Sequence, residues 1–496
     1  MIIESLHQIA SNDPDRIALE GTEERLTYGE LDIAVAEAAH ELNALELRTL
    51  GLLANNGLPW ALADLAALAA NVPLVPVPLF FSPNQILHVM GDAGMDALLT
   101  DQPKQIESLL QNADIRFHRV GELCGLHLIR LHGVGIKTLP QGTVKITYTS
   151  GTTGEPKGVC LSLTQIETVA ASLRDASEAQ AGDRHLSLTP LSTLLENVGG
   201  IYVPLLAGAS TCLLPLQEVG LNGASGLDIG RMLLAMSERQ ASSAILAPQM
   251  LQAMVAAADA GKAIPQYLRF VAVGGAPVAP RLLERAHKHG IPVFEGYGLS
   301  ECASVVALNT SAHCCLGSVG KPLPHVSVSF SADGEILVSG STFLGYLGQQ
   351  PPAQPWPTGD IGYMDHEGFL HVTGRKKSLF ITSFGRNVAP EWVERELTQH
   401  PAIAQAAVFG EAKPFNVAVI VIRQGFSTLH ANTAVQLANQ ALPDYARIHS
   451  WIIAETPFTS INQQMTANGR LKREAILANY ADALESLYQE ETDVVF

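Results

Sequence analysis

Across residues 144–297, short apolar runs alternate with helical patterns: VKITYT, HLSLTP, STCLLP, SSAILAP, FVAVGG and PVFEGY. Such alternation predicts an α/β chain built on a doubly wound sheet with helices on its faces. Phosphate ligands of such sheets bind at the carboxyl ends of the strands. The helix from Pro280 opens on proline, places Leu282, Leu283 and Ala286 on one face and stops at Gly290. Its last turn carries His287, Lys288 and His289, where cations complement the helix dipole, so they read as structural. At 496 residues the chain exceeds the roughly 250–300 at which one core stops growing, so two or more domains are expected.

After Ala307 the pattern changes. VSVSFSADGEILVSG alternates apolar and polar residues around Asp333 and Gly334, a hairpin signal, and DHEG at Asp365 is a second turn before FLHVTGR. The proline-rich QQPPAQPWPTGD between them reads as loop. Beyond the basic cluster Arg375, Lys376 and Lys377 comes a helix opening at Pro390, with Val393 and Leu397 inward, then strands QAAVFG and VAVIVIR. The expected architecture is a large N-terminal domain, residues 1–374, with doubly wound sheets plus a β-rich subdomain. A hinge at 375–378 and a small mobile α+β domain at 379–496 complete it.

Composition removes several classes of function. Only 16% of residues are charged, 47% are hydrophobic and the net charge is −17, with no Lys/Arg block. A phosphate backbone is held by counter-charge, so nucleic acid is not an expected partner. The N-terminus has no basic segment leading into an apolar one, so a cytoplasmic location is expected. Residues 61–81 carry only Asp64 as a charge, but Pro73, Pro76 and Pro78 break any membrane span into a short helix and an extended segment. The six cysteines show no C-x-x-C spacing, and the adjacent Cys314 and Cys315 cannot chelate like a zinc knuckle, so reduced structural thiols are expected. HEGFLH, residues 366–371, is one residue too long for a zinc-protease helix and Gly368 marks it as a turn. These patterns argue against metal catalysis through such ligands.

The segment TYTSGTTGEPKGV, residues 147–159, is the candidate phosphate site. It is not a Walker loop, because Lys157 is preceded by Pro156 and followed by Gly158. Gly151 and Gly154 free backbone N–H groups to point inward, and Ser150, Thr152 and Thr153 add hydroxyl donors at a strand end.

YTSGTTGEPKG resembles the signature loop of the adenylate-forming superfamily, which contains acyl-CoA synthetases, peptide-synthetase adenylation domains and luciferases. Further similar motifs follow in the family's order: TYGEL at Thr27, VGGAPV at Val273, GYGLSE at Gly296, TGD at Thr358, GRKKSLFITSFGRNVAP at Gly374 and MTANGRLKRE at Met465. The resemblance implies that Thr149, Ser150, Gly151, Thr152, Thr153, Gly154 and Lys157 hold the β and γ phosphates of ATP. It implies that Gly274, Gly275 and Ala276 form the adenine wall and that Tyr297, followed by Gly298, stacks on adenine. Ser300 would touch the α-phosphate and Glu301 would hold Mg²⁺. Asp360 and Arg375 would contact the ribose, and Lys377 would be the hinge. Taken singly, a buried tyrosine is usually core and a lone glutamate usually solvated; the shared spacing favours function.

TPLSTLLENVGGIYVPLLAGAS is similar to the fatty-acid-activating pattern PLxHxxExxxGxxxPLxAGA, with Glu196 and Gly200 matching and Thr193 or Leu194 in place of the histidine. The acyl pocket implied is Glu196, Asn197, Gly200, Gly274 and Leu299. No aspartate of the amino-acid-activating kind is present, so an aliphatic, fatty acid is expected. Two residues depart from the pattern. Phe384, beside Gly385, stands in the expected thiol tunnel where a glycine is usual. Arg470 replaces the lysine that contacts carboxylate and α-phosphate, and a planar fork is not a compact ammonium. The implied activity is ATP-dependent formation of an acyl-adenylate, then transfer to the pantetheine thiol of coenzyme A or of acyl carrier protein. For a carrier, the cations Arg375, Lys376, Lys377 and Arg386 are the docking patch to examine. The alternative is a non-catalytic acyl- or nucleotide-binding homologue. A hydrolase is set aside, since no G-x-S-x-G elbow occurs.

Overall fold

A computed structural model describes residues 1–133, 135, 138–150, 156–222, 226–383, 386–466 and 469–489. Among these residues two large sheets form the N-terminal part. One has nine strands, and its centre runs parallel from Ile17–Glu20 through Ser210–Cys212, Arg184–Leu186, Ser243–Leu246 and Phe270–Val273 to Val293–Tyr297. The other has eight, with Thr143–Ser150 and Pro156–Ser162 paired near one edge and Leu50–Leu53 and Leu74–Pro76 inside it. The expected alternation therefore spans two sheets. VKITYT belongs to the second and the other five runs to the first, because sequence order does not say which strands pair.

The helices sandwiched between the sheets make the largest core. Leu58–Ala69, Tyr28–Ala44 and Leu163–Ala176 contribute Trp60, Leu65, Tyr28, Leu31, Ile166 and Val169, all buried against Leu19, Leu50 and Leu52 of the strands. TYGEL opens the second of these helices. Thr27 accepts from the Glu30 N–H and Glu30 accepts from the Thr27 N–H, a reciprocal cap that satisfies two otherwise orphaned donors. The apolar segment with Asp64 is a helix followed by the strand Leu74–Pro76, as expected. No helix among the described residues is long and apolar enough to cross a membrane.

The four-stranded sheet of Val326–Phe330, Glu335–Gly340, Trp356–Met364 and Leu370–Arg375 is the β-rich subdomain. Gly334 turns its first hairpin at φ +81°, and Gly368 its last at φ +84°. WPTGD, expected as loop, begins a strand instead: Pro357 stands opposite Leu337 at an irregular register, where a missing N–H is tolerated. After Arg375 the chain turns at residues 376–378, and Phe380 already belongs to the core of the C-terminal part. That part packs Pro390–Thr398 and Thr428–Ala441, with Val393, Leu397, Ala434 and Val435 buried, against Ile403–Phe409, Asn416–Ile422 and Ile448–Ile453.

Candidate active site

The strand Val293–Tyr297 ends at the mouth of a cleft of about 3080 Å³ between the large and small parts of the chain. Gly274, Gly275, Ala276, Tyr297, Gly298, Leu299, Ser300, Asp360, Arg375, Lys377 and Arg470 all line it. Gly298 is obligatory, since a Cβ there would lie 1.7 Å from the Ser304 carbonyl oxygen. The turn it permits places Glu301 on a single 3₁₀ turn, Ser300–Cys302.

Asp360 and Arg375 are direct cross-strand partners, and Arg375 Nε lies 2.7 Å from Asp360 Oδ1. The Tyr297 hydroxyl donates to Asp360 Oδ2 at 2.6 Å. Asp360 is 3% exposed. Burial pushes its carboxyl above the ordinary range, against the pull of Arg375 and the Tyr297 hydroxyl, and burial also pushes the Tyr297 hydroxyl well up.

Thr149 and Lys157 face each other in register on adjoining strands, and Ser150 ends the first of them. Gly151, Thr152, Thr153 and Gly154 lie outside the described residues, as do Phe384 and Gly385. Lys157 Nζ sits 5.5 Å above the ring of Tyr346, whose hydroxyl donates to Glu301 Oε1 at 2.7 Å. Among the described residues Glu301 takes this hydroxyl, not a cation, as partner. Glu301 itself is not among the residues lining the cleft, and its carboxylate is a hard donor of the kind Mg²⁺ takes. Tyr346 was not legible as a site residue; it belongs to a two-residue strand beside Val159, and nothing in its local sequence marks it.

Arg470 is carried in from the C-terminal part on a tight turn, with Thr466 N–H donating to the Arg470 carbonyl at 2.7 Å and Gly469 at φ +77°. Burial and the neighbouring Arg375 depress its guanidinium, while Asp360, Glu301 and Glu391 support its charge. Arg470 lines the cleft together with Asp360 and Arg375 of the large part and Glu391 of the small part.

Three of the expected acyl-pocket residues do not line the cleft. Glu196 is fully buried and accepts from Ser187 at 2.9 Å and Thr189 at 2.5 Å, with His185 Nε2 at 3.0 Å. A Cβ on Gly200 would lie 2.6 Å from Glu196 Oε1, so that glycine makes room for the carboxylate. Asn197 donates to Asp64 at 3.0 Å in a second buried cluster, where Lys145 Nζ meets Asp64 at 2.6 Å and the Tyr202 hydroxyl at 2.6 Å. These are structural knots, and the matching spacing reflects packing. The lone charge Asp64 in an apolar stretch and a lysine inside VKITYT were the signal for the second knot. Gly274 and Leu299 do line the cleft, beside Leu194, Leu195, Leu246, Ala247 and Met250.

The expected docking patch is also corrected. Arg375 is committed to Asp360, and Lys376 pairs with Asp333 at 2.7 Å and Glu335 at 2.8 Å, so two of the four cations are neutralised within the chain.

A strand-end glycine wall, a buried carboxylate beside an arginine, and a tyrosine whose ring meets a lysine and whose hydroxyl meets a second carboxylate fit an adenylate-forming acid–thiol ligase. The chain belongs to the AMP-binding enzyme family: that family's pattern matches residues 6–347, and its C-terminal domain pattern matches residues 377–492. A long-chain-fatty-acid–CoA ligase, FadD15 of Mycobacterium bovis, is 28% identical over 97% of this chain and 96% of its own length. The 2-succinylbenzoate–CoA ligase of Bacillus subtilis is 28% identical over 82% and 84%. A solved structure of the o-succinylbenzoate CoA synthetase MenE from Bacillus subtilis, in complex with its acyl-adenylate intermediate, superposes with a TM-score of 0.75 at 25% identity, covering 95% of this chain and 97% of that one.

Proposed function

We propose that this enzyme activates an aliphatic, fatty monocarboxylic acid as its acyl-adenylate and passes the acyl group to the pantetheine thiol of coenzyme A or acyl carrier protein. The carrying observation is that Arg470 from the small part lines the same cleft as Asp360, Arg375 and Ser300 of the large part. In this reading the carboxylate oxygen attacks the α-phosphorus of ATP, the bond to the β-phosphate oxygen breaks, and pyrophosphate leaves. Arg470 and Ser300 would meet the charge that grows on the α-phosphoryl oxygens. Thr149, residues 150–154 and Lys157 would hold the departing phosphates, with Gly274, Gly275, Ala276 and Tyr297 around adenine and Asp360 with Arg375 at the ribose. Glu301 would hold Mg²⁺, which supplies positive charge against the phosphate oxygens.

Support for the aliphatic acid comes from Leu194, Leu195, Leu246, Ala247, Met250 and Leu299 in the cleft wall, none of them charged. The relatives named for 2-succinylbenzoate favour a second reading, an aromatic acid. That particular molecule has two carboxylates, and the cleft lining also carries cations such as Arg269 and Arg281 that a second carboxylate could meet.

The test is acid-dependent exchange of labelled pyrophosphate into ATP across fatty acids of increasing length and a set of aryl acids, followed by thiol capture. Exchange with fatty acids only is the expected result; exchange with aryl acids only replaces the acid class, and none with any acid returns the chain to the binding-protein alternative. Arg470→Ala should lower exchange on the order of 10²- to 10³-fold, as for loss of one transition-state donor. Thioester formation from supplied acyl-adenylate should persist, and equal loss of both half-reactions would reject the role given to Arg470.

A further inference from the structure

We infer that Cys315, Asp365 and His371 form a zinc site that clips the far end of the hairpin carrying Asp360 and Arg375. The ligating atoms of the three residues lie within 4.8 Å of one another. They come from two segments distant in sequence: Cys315 from the loop after Ala307–Leu308, and Asp365 and His371 from either side of the turn between Trp356–Met364 and Leu370–Arg375. Spacing rules fail on such a site, because neither HEGFLH nor the Cys314–Cys315 pair chelates alone; the fold joins half of each.

The geometry fits zinc. His371 Nε2 and Asp365 Oδ2 are 3.0 Å apart, close to the roughly 3.3 Å edge of a tetrahedron built from Zn–N and Zn–O bonds of about 2.0–2.2 Å. Thiolate, imidazole and carboxylate together select zinc over the hard cations Mg²⁺ and Ca²⁺. Thiolate and carboxylate also neutralise its two charges. The side chains of His371 and Asp365 are only 18% and 21% exposed.

Each donor is also held from behind, as metal ligands are. His371 Nδ1 faces the Gly317 carbonyl oxygen at 3.2 Å, which places a proton on Nδ1 and turns Nε2 toward Asp365. The ring is stacked on Tyr363, centroids 4.8 Å apart and planes 6° from parallel. Asp365 Oδ1 accepts from the N–H groups of Glu367 and Phe369 at 3.0 and 2.9 Å, which leaves Oδ2 for the site. The Cys315 N–H donates to Asn309 Oδ1 at 2.9 Å, and buried Asn309 donates in turn to the carbonyls of Glu295 and Ser318. Three protein donors leave water to complete a tetrahedral shell.

The test uses the full chain, stripped with chelator and free of nucleotide. Zinc, counted by elemental analysis after dialysis, should be retained at one per chain. Cobalt(II) offered instead should give a thiolate-to-metal charge-transfer band, lost in Cys315→Ser and kept in Cys314→Ser. Asp365→Asn, the milder variant, should lower zinc affinity at least tenfold with an unchanged far-ultraviolet circular dichroism spectrum. No retained zinc in the parent protein would overturn the site, leaving a proton between His371 and Asp365. A cobalt band that survives Cys315→Ser would overturn it too. These readouts do not depend on pyrophosphate exchange, so they stand or fall apart from the proposed activity.

Discussion

Tyr346 joins the two groups that a phosphate and its metal would touch. Its ring lies under Lys157 and its hydroxyl holds Glu301 Oε1. A hydrogen bond to a charged group is worth about 1.5–3 kcal/mol, so Tyr346→Phe should raise the Mg²⁺ concentration for half-maximal pyrophosphate exchange on the order of tenfold. The ATP requirement at saturating Mg²⁺ should change far less, and an unchanged Mg²⁺ titration would remove Tyr346 from the site. The meeting of candidate-site residues was legible where a motif fixes both type and spacing: Tyr297, Asp360 and Arg375 meet within 3 Å. Tyr346 was not, because a hydroxyl arriving from a separate short strand leaves no local pattern.

At the scale of elements, Lys145 ties the strand that leads into the phosphate loop to two helices. It contacts Asp64 of Leu58–Ala69, Asn197 and the Tyr202 hydroxyl, and both Lys145 and Asp64 are 1% exposed. Burial depresses the ammonium, and Asp64 is the charge that opposes this. Removing one partner strands the other, a cost of about 3–5 kcal/mol. Asp64→Ala should therefore lower the thermal midpoint by many degrees, while the exposed Lys377→Ala should not move it; equal midpoints for Asp64→Ala and the parent would show the pair to be dispensable. The strands between residues 144 and 297, the helix at Pro280 and the turn at Gly334 were legible from periodicity, whereas the strand beginning at WPTGD was not. Which sheet each strand joins was not, because pairing is decided by contacts between segments that sequence order does not rank. Glu196 and Gly200 show the converse error: a matching spacing read as a pocket is a buried carboxylate and the glycine that admits it.

For the whole molecule, the boundary between the large and small parts is built from charge. Glu295, 5% exposed in the middle of the strand Val293–Tyr297, accepts from Val278 N–H and feels Arg395 of the helix Pro390–Thr398. Burial pushes its carboxyl from 4.5 up to about 7. The folded form then keeps a proton that the unfolded form has lost, so stability falls as pH rises from 4.5 to about 7 and levels off above it. Glu394, pushed up to about 7 by burial, adds a slope of the same sign. Glu295→Gln should flatten its own share, on the order of 3 kcal/mol, and a pH 5 to pH 8 drop in thermal midpoint as steep as the parent's would refute this. The two-part organisation itself was legible from the change of pattern after Ala307 and at Arg375, but the charges facing each other across the cleft come from strands and helices a hundred residues apart. Under the proposed chemistry one of those meetings would act as a timing device. Arg470 and Arg375, brought from opposite sides into each other's field, repel in a way that Asp360, Glu301 and Glu391 only partly offset, and a polyanion bridging the two guanidinium groups would offset more of it. Under the proposed chemistry, ATP supplies that bridge and closes the cleft, and the escape of pyrophosphate takes most of it away. Leaving-group departure would then itself push the small part outward, at the moment when the thiol needs a way in.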